Sequence, residues 1–230
     1  MSKLRARVKS QAQQNQPEER VLKRNWHYYD GILYDTAIEP FATEMRYRTI
    51  ESVPAGTSVI DICCGTGGLV FQLARKCDSV TGIDHARGMI DFARRKLQRQ
   101  GSSNISFVHA DARFLSGFSG QLYDYATVSM ALHEMPREVA LEVLKEAARV
   151  AKQVLVVDYA VPLPKNMHGL MFRYLEVIAG PNHLKGFLNY SRHNGLDSLL
   201  KEANLLVERD TTAMWDCIRL TKTLRPNTNA

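Results

Sequence analysis

From residue 57 onward the chain alternates between two hydrophobic periods. TSVIDI is apolar and β-branched and predicts a strand over 57–62. GGLVFQLARK, at 67–76, follows with helical spacing, and SVTGID predicts a second strand over 79–84. ARGMIDFARRKLQRQ predicts a helix over 86–100 with Met89, Ile90, Ala93 and Leu97 on one side, ended by Gly101. ISFVHAD (105–111) and YDYATVSM (123–130) predict a third and a fourth strand. PREVALEVLKEAARVAK (136–152) predicts a helix with Pro136 near its first turn, where a missing N–H costs little. QVLVVDY predicts a fifth strand over 153–159.

Strands that are apolar on both faces and separated by helices imply a parallel sheet covered on each side, an α/β doubly wound fold. The pattern changes after residue 159. An irregular helical stretch fills 160–193, a helix covers about 195–203, and LLVERDTT and MWDCIRLTK are strand-like with only Ala213 between them. A tight antiparallel return is expected there. Upstream, 36–52 is expected as a helix that Thr36 would cap, broken by Pro54 and Gly56. These breaks divide the chain into an arm (1–17) and one domain (18–230). The domain comprises a helical cap (18–53), a core (54–159), a helical lid insertion (160–193) and a C-terminal helix with antiparallel strands (194–222).

The 230 residues are 45% hydrophobic and 23% charged, as in ordinary globular chains. The net charge of +6 sits mainly in residues 1–25, where seven basic side chains face Glu18 and Glu19, a net +5. The body is nearly neutral. The arm, rich in Gln and Ser, is expected to be a solvated tail, with peripheral contact to an anionic surface as the alternative. No apolar run reaches spanning length, and no secretory pattern follows the first basic residues. Cys63, Cys64, Cys77 and Cys217 form no CxxC and lack histidines at zinc spacing. A cytoplasmic protein without a metal site is expected.

The turn DICCGTGG follows a buried strand and opens a helix, so its amide groups face a ligand. It lacks the Gly-Lys-Ser/Thr ending of a triphosphate loop, and Val70 stands where a dinucleotide fingerprint has its third glycine. Asp61, Asp84 and Asp111 close three successive strands at the sheet edge where ligands of this architecture bind. A pyrophosphate is a poor neighbour for Asp61. An amino group, a sulfonium and a ribose are better ones, and Asp84 can accept two ribose hydroxyls.

These residues resemble the class I S-adenosylmethionine-dependent methyltransferases. DICCGTGG is similar to their first motif, with Cys63 in place of its first glycine. VTGIDHARGMIDFARRKL is similar to the second-strand region, FVHADARFL to the adenine-contacting segment, and YDYATVSMALHEMP to the fourth-strand motif. Within the class, CCGTG, the HEMP turn and HLKGFLNYSRHNGLDSLLKEANL resemble the ubiquinone/menaquinone-biosynthesis (methyltransferase type 11) group. The resemblance covers roughly 55–222. It implies a Rossmann-like sheet of seven strands, mostly parallel with an antiparallel last strand, and S-adenosylmethionine as cofactor. The implied cofactor contacts are Tyr28, Tyr29, Asp61, Cys63, Gly65, Thr66, Gly67, Asp84, His85, Met89, Asp111, Ala112, Ser129 and Met130.

His133 follows the fourth strand, and its near-neutral titration suits the base that methyl transfer often needs. Transfer also requires the nucleophile to be held about 3 Å from the methyl with water excluded. Met167, Leu170, Met171, Phe172, Leu175 and Phe187 give the lid an apolar character that suits a small aromatic or lipophilic acceptor of the quinone-precursor kind. Cys63 and Cys64 point to opposite sides and are expected to pack rather than react. Three alternatives remain: a nucleic-acid methyltransferase gripping phosphates with the arm, a non-catalytic S-adenosylmethionine-binding protein, and, remotely, a nicotinamide dehydrogenase. SMALHEMP lacks the Asn/Asp-Pro-Pro-Tyr signature of adenine amino-methylation.

Overall fold

In the computed structural model, residues 39–118 and 122–224 are described. Seven strands form one sheet in the order β3-β2-β1-β4-β5-β7-β6. They are β1 (Ser58–Ile62), β2 (Ser79–Asp84), β3 (Ile105–His109), β4 (Tyr123–Ser129), β5 (Ala151–Tyr159), β6 (Leu206–Ala213) and β7 (Ile218–Leu224). β1 to β5 pair in parallel, and β7 runs antiparallel to both β5 and β6. The doubly wound sheet with a reversed last strand is the architecture expected from the sequence.

The helices are α1 (Glu39–Ser52), α2 (Gly68–Leu73), α3 (Arg87–Gln100), α4 (Arg137–Val150), α5 (Met167–Ala179), α6 (Pro181–Arg192) and α7 (Gly195–Glu202). Periodicity placed α3 well: Ile90 and Ala93 are buried and Leu97 packs against the core. Cys77 and Cys217 are buried free thiols.

Several boundaries differ from expectation. β3 ends at His109, because the Ala110 amide turns to the Asp84 carbonyl at 3.1 Å. Asp111 therefore lies beyond the strand. α4 ends at Val150, since Ala151 already pairs with Tyr123, and sheet pairing overrides the helical preference of Ala-Lys. The 160–193 stretch is two regular helices separated by Gly180, at φ 117, with Pro181 opening the second. β6 and β7 are joined by Met214–Cys217, not by Ala213 alone, and Met214, Trp215 and Asp216 all take positive φ. Residues 1–38 lie outside the described residues, and with them the arm, the proposed Thr36 cap, Tyr28 and Tyr29.

At the N-terminal edge of the sheet, Asp124 ties three strands together. Its Oδ2 accepts from the Ser58 amide at 2.9 Å and the Ser58 hydroxyl at 2.8 Å, and its Oδ1 accepts from Lys152 Nζ at 2.7 Å. These partners hold its carboxyl down at about 2. Its contribution is present above the ordinary carboxylate range and is lost as pH falls towards that value. Asp124→Ala is expected to lower unfolding free energy by about 1–2 kcal/mol at neutral pH, because the acceptor is charged but partly solvated. Urea denaturation at pH 7 and pH 3 checks this: the difference from wild type should shrink at the lower pH.

Candidate active site

The C-terminal ends of β1, β2 and β4 meet at the centre of the sheet, and the β1–α2 turn lies across them. Its backbone is tightly specified. Cys63, Gly65 and Gly67 have φ of 61, 53 and 80, a region that favours glycine. Cys63 thus keeps a glycine-like conformation at the position where the motif normally has glycine. A Cβ on Gly67 would stand 2.5 Å from the Phe107 ring, so this loop can only close over β3 without a side chain there.

Two carboxylates support the turn from below. Asp84 Oδ2 accepts from the Gly65 amide at 2.9 Å, and its Oδ1 accepts from the Ala86 amide at 2.8 Å. Asp61 is buried and accepts from the Thr127 hydroxyl at 2.6 Å. Burial, reinforced by the charge of Asp84, raises its carboxyl to about 7, against the opposing hydroxyl of Thr127 and the charge of Arg46. Thr66 is buried within the same turn. Cys63 and Cys64 are free, and burial raises both thiols well above their ordinary value, as packing residues require.

The remaining predicted residues lie at or just beyond the ends of β2, β3 and β4. His85 is exposed, with Nδ1 3.6 Å from Asp84 Oδ1, and Met89 lies half-buried in the first turn of α3. Ala112 is buried. Asp111 is gripped by its neighbour: Arg113 donates from Nε at 3.0 Å and from Nη2 at 2.6 Å. Burial would raise the Asp111 carboxyl, but Arg113 brings it below its ordinary value. Both of its oxygens therefore serve a structural bond, which weakens it as an acceptor for an amine. At the end of β4, Met130 takes φ 50 and donates its amide to Val157 at 2.7 Å. Ser129 Oγ is buried without a hydrogen-bond partner among the described residues.

After β4 the chain makes a short turn, Leu132–Glu134, that carries His133. His133 is buried, and its Nδ1 donates to Asp158 Oδ1 at 2.6 Å. Its Nε2 faces two more carboxylates, Glu134 at 3.7 Å and Glu176 of α5 at 3.8 Å. Burial pushes the imidazole down, but Asp158, then Glu134 and Glu176, outweigh it and raise it to about 9. The near-neutral titration expected from sequence is thus displaced by three carboxylates brought in from β5, from α5 and from the adjacent residue. The Tyr159 hydroxyl donates to Glu176 Oε1 at 2.6 Å, while Glu176 Oε2 is buried without a partner among the described residues. His183 of α6 bonds Glu134 at 3.1 Å. α6 sits directly on this turn: a Cβ on Gly186 would stand 2.8 Å from the carbonyl oxygens of His133 and Glu134.

Sequence reading missed Arg46, Asp158, Tyr159 and Glu176. Asp158 had a signal, since it closes a buried strand as Asp61 and Asp84 do. Glu176 had a weaker one, a lone acid in an apolar helix. Arg46 had none; its guanidinium comes within about 3.0 Å of where a Gly68 Cβ would be. The donor set suits S-adenosylmethionine: carboxylates for an amine and ribose hydroxyls, glycine-like backbone for close approach, and an orphan hydroxyl on Ser129. Arg46 is the basic side chain found at this turn among the described residues, against the carboxylates of Asp61 and Asp84.

A family model described as a methyltransferase domain matches residues 59–154. A demethylmenaquinone methyltransferase of Bacillus licheniformis is 32% identical over 184 residues, covering 74% of this chain and 76% of that protein. One from Shouchella clausii is 31% identical over 148 residues, covering 60% of this chain and 62% of that protein, under two thirds of its length. Among solved structures, a SAM dependent methyltransferase from Aquifex aeolicus aligns with TM-score 0.63 and 17% identity, covering 86% of this chain and all of that one. Magnesium protoporphyrin IX methyltransferase from Synechocystis, solved with bound SAH, aligns with TM-score 0.59 and 18% identity over 98% of this chain and 95% of that one. The two structures share the fold; the Bacillus relative carries the closer kinship. The chain belongs to the class I S-adenosylmethionine-dependent methyltransferase family, in the menaquinone-biosynthesis group.

Proposed function

We propose that this chain methylates a lipophilic aromatic acceptor of the demethylmenaquinone kind, with S-adenosylmethionine as donor. The observation that carries this reading is the arrangement at the sheet edge. A glycine turn over Asp61 and Asp84 adjoins a buried His133 enclosed by aromatic rings. Tyr159 lies 4.7 Å from the His133 ring, and Phe187 and Phe172 lie 5.0 and 5.9 Å from Tyr159. The names of the relatives supply the acceptor class.

When bound, S-adenosylmethionine supplies an activated methyl group on a sulfonium. Asp61 and Asp84 accept from its amine and ribose hydroxyls in this reading, the 63–67 turn allows its close approach, and His85, Met89, Ala112, Ser129 and Met130 line the remainder. His133 removes a proton through Nε2 from a hydroxyl of the acceptor in its reduced, quinol form, with Asp158 fixing the ring through Nδ1. Glu134 and Glu176 hold Nε2 charged until the acceptor displaces them. The aromatic residues exclude water.

Methyl-labelled S-adenosylmethionine incubated with the chain and a desalted extract tests the reading. Label is expected in the lipid fraction; label in nucleic acid or protein would overturn it.

Asp61 must ionise to meet a cationic amine, and it titrates at about 7. Cofactor affinity is therefore expected to rise about tenfold from pH 6 to pH 8. Calorimetric titration of wild type and Asp61→Asn checks this, since the variant should show a flat profile.

His133→Ala is expected to lower kcat about 100-fold and leave cofactor affinity within about twofold. In the wild type, kcat/KM should climb with pH towards about 9, because the base works only once Nε2 is deprotonated. Removing a carboxylate with Glu176→Gln lowers that titration, so its rising limb should move to lower pH. An unmoved limb would detach Glu176 from His133.

A further inference from the structure

α5 has its polarity arranged the wrong way round for a surface helix. The side facing the core carries Gly169, Phe172 and the carboxylate of Glu176, all buried. The outward side carries Met167, Leu170, Tyr174, Val177 and Ile178, with exposures of 79%, 69%, 62%, 53% and 65%. At 100° per residue these five positions fall in one continuous stripe about 100 to 120° wide. A stripe of that size normally faces a core, and an apolar patch this extended marks an interaction surface.

The patch continues beyond the helix. Leu188 of α6, the following helix of the same lid, is also exposed. Trp215, 58% exposed, stacks at 4.2 Å on His168 in the first turn of α5.

Along the lid segment itself the exposed charge is of one sign, although Asp216 is exposed beside Trp215. Between residues 165 and 192 the basic residues are Lys165, Arg173, Lys185 and Arg192, and the single acid is Glu176. Because Glu176 is buried under Tyr159, the outer surface of this segment presents cations only. Arg173 borders the stripe directly, Lys165 is exposed just before the first turn of α5, and Lys185 is exposed on α6. Apolar side chains together with Tyr and Trp and a cationic rim are the composition of a helix that lies in the headgroup layer. α5 is too short to cross: its 13 residues span about 20 Å, less than a hydrocarbon core.

We propose that the outward face of α5, with Leu188 and Trp215, docks on the surface of an anionic lipid bilayer. The rim answers the negative headgroups and the stripe enters the acyl boundary. Docking places the lid, which stands over His133, against the phase in which a lipophilic acceptor dissolves. The surface is argued from exposure and charge, so it goes beyond the acceptor reading and is measured without any acceptor.

The test is flotation of the full chain with vesicles of phosphatidylcholine alone or with about one third phosphatidylglycerol. The wild type is expected to float with the anionic vesicles, with a blue shift in tryptophan emission. Leu170→Asp/Ile178→Asp should reduce partitioning at least tenfold while circular dichroism melting stays unchanged, since both positions are exposed. Failure of the wild type to bind anionic vesicles overturns the proposal. Undiminished binding by the variant also overturns it and assigns lipid contact to the basic N-terminal arm. Light scattering that shows a wild-type dimer and a monomeric variant overturns it in favour of a second copy on this face. None of these outcomes bears on methyl transfer, which the labelling experiment reads separately.

Discussion

Asp158 lies one residue from the end of β5, between strands β4 and β7, and is itself completely buried. A carboxylate in that position costs several kcal/mol unless donors surround it. Here the amides of Leu132, His133 and Tyr159 and the Nδ1 of His133 all point at it. These bonds fix the turn after β4, and that turn in turn seats α6 on the carbonyls of His133 and Glu134 and presents Nε2 to Glu176 of α5. The lid thus meets the sheet around this buried charge and the neighbouring Tyr159, so the polar centre of the site is also a structural joint.

Asp84 plays the corresponding part on the other side of the sheet centre. By accepting the amides of Gly65 and Ala86, it holds the β1–α2 turn and the start of α3 in register. Asp61 and Asp84 stand close enough for their charges to interact, and burial makes the proximity expensive. A site that concentrates negative charge in low dielectric favours a cationic ligand. The same logic holds at His133, where three carboxylates converge on one imidazole. Both halves of the edge are electrostatically arranged for positive charge, which agrees with a sulfonium donor and disagrees with a phosphate-bearing one.

The lid turns these local facts into a layered arrangement. Its inner surface carries the acid and the aromatic rings around His133. Its outer surface is apolar with a cationic border. Met167 and Leu170, which the apolar composition of the segment would assign to an acceptor-lining surface, face outward instead.

The sequence by itself determined the sheet and the cofactor turn. Strand and helix periods, the acid at the end of β1 and β2, and the glycines at 65 and 67 are local patterns, and local patterns survive in one dimension. Even the departure at Cys63 was legible as a substitution, though not that its backbone keeps a glycine-like φ of 61. Tertiary structure alone decided the ends of β3 and α4, since pairing with distant strands sets where an element stops. It also decided the grip of Arg113 on Asp111 and the direction each face of α5 looks. Above all it decided the state of His133. That residue's chemistry depends on Asp158 and Glu176, 25 and 43 positions away, and an electrostatic environment assembled across such separations leaves no periodic trace in the chain.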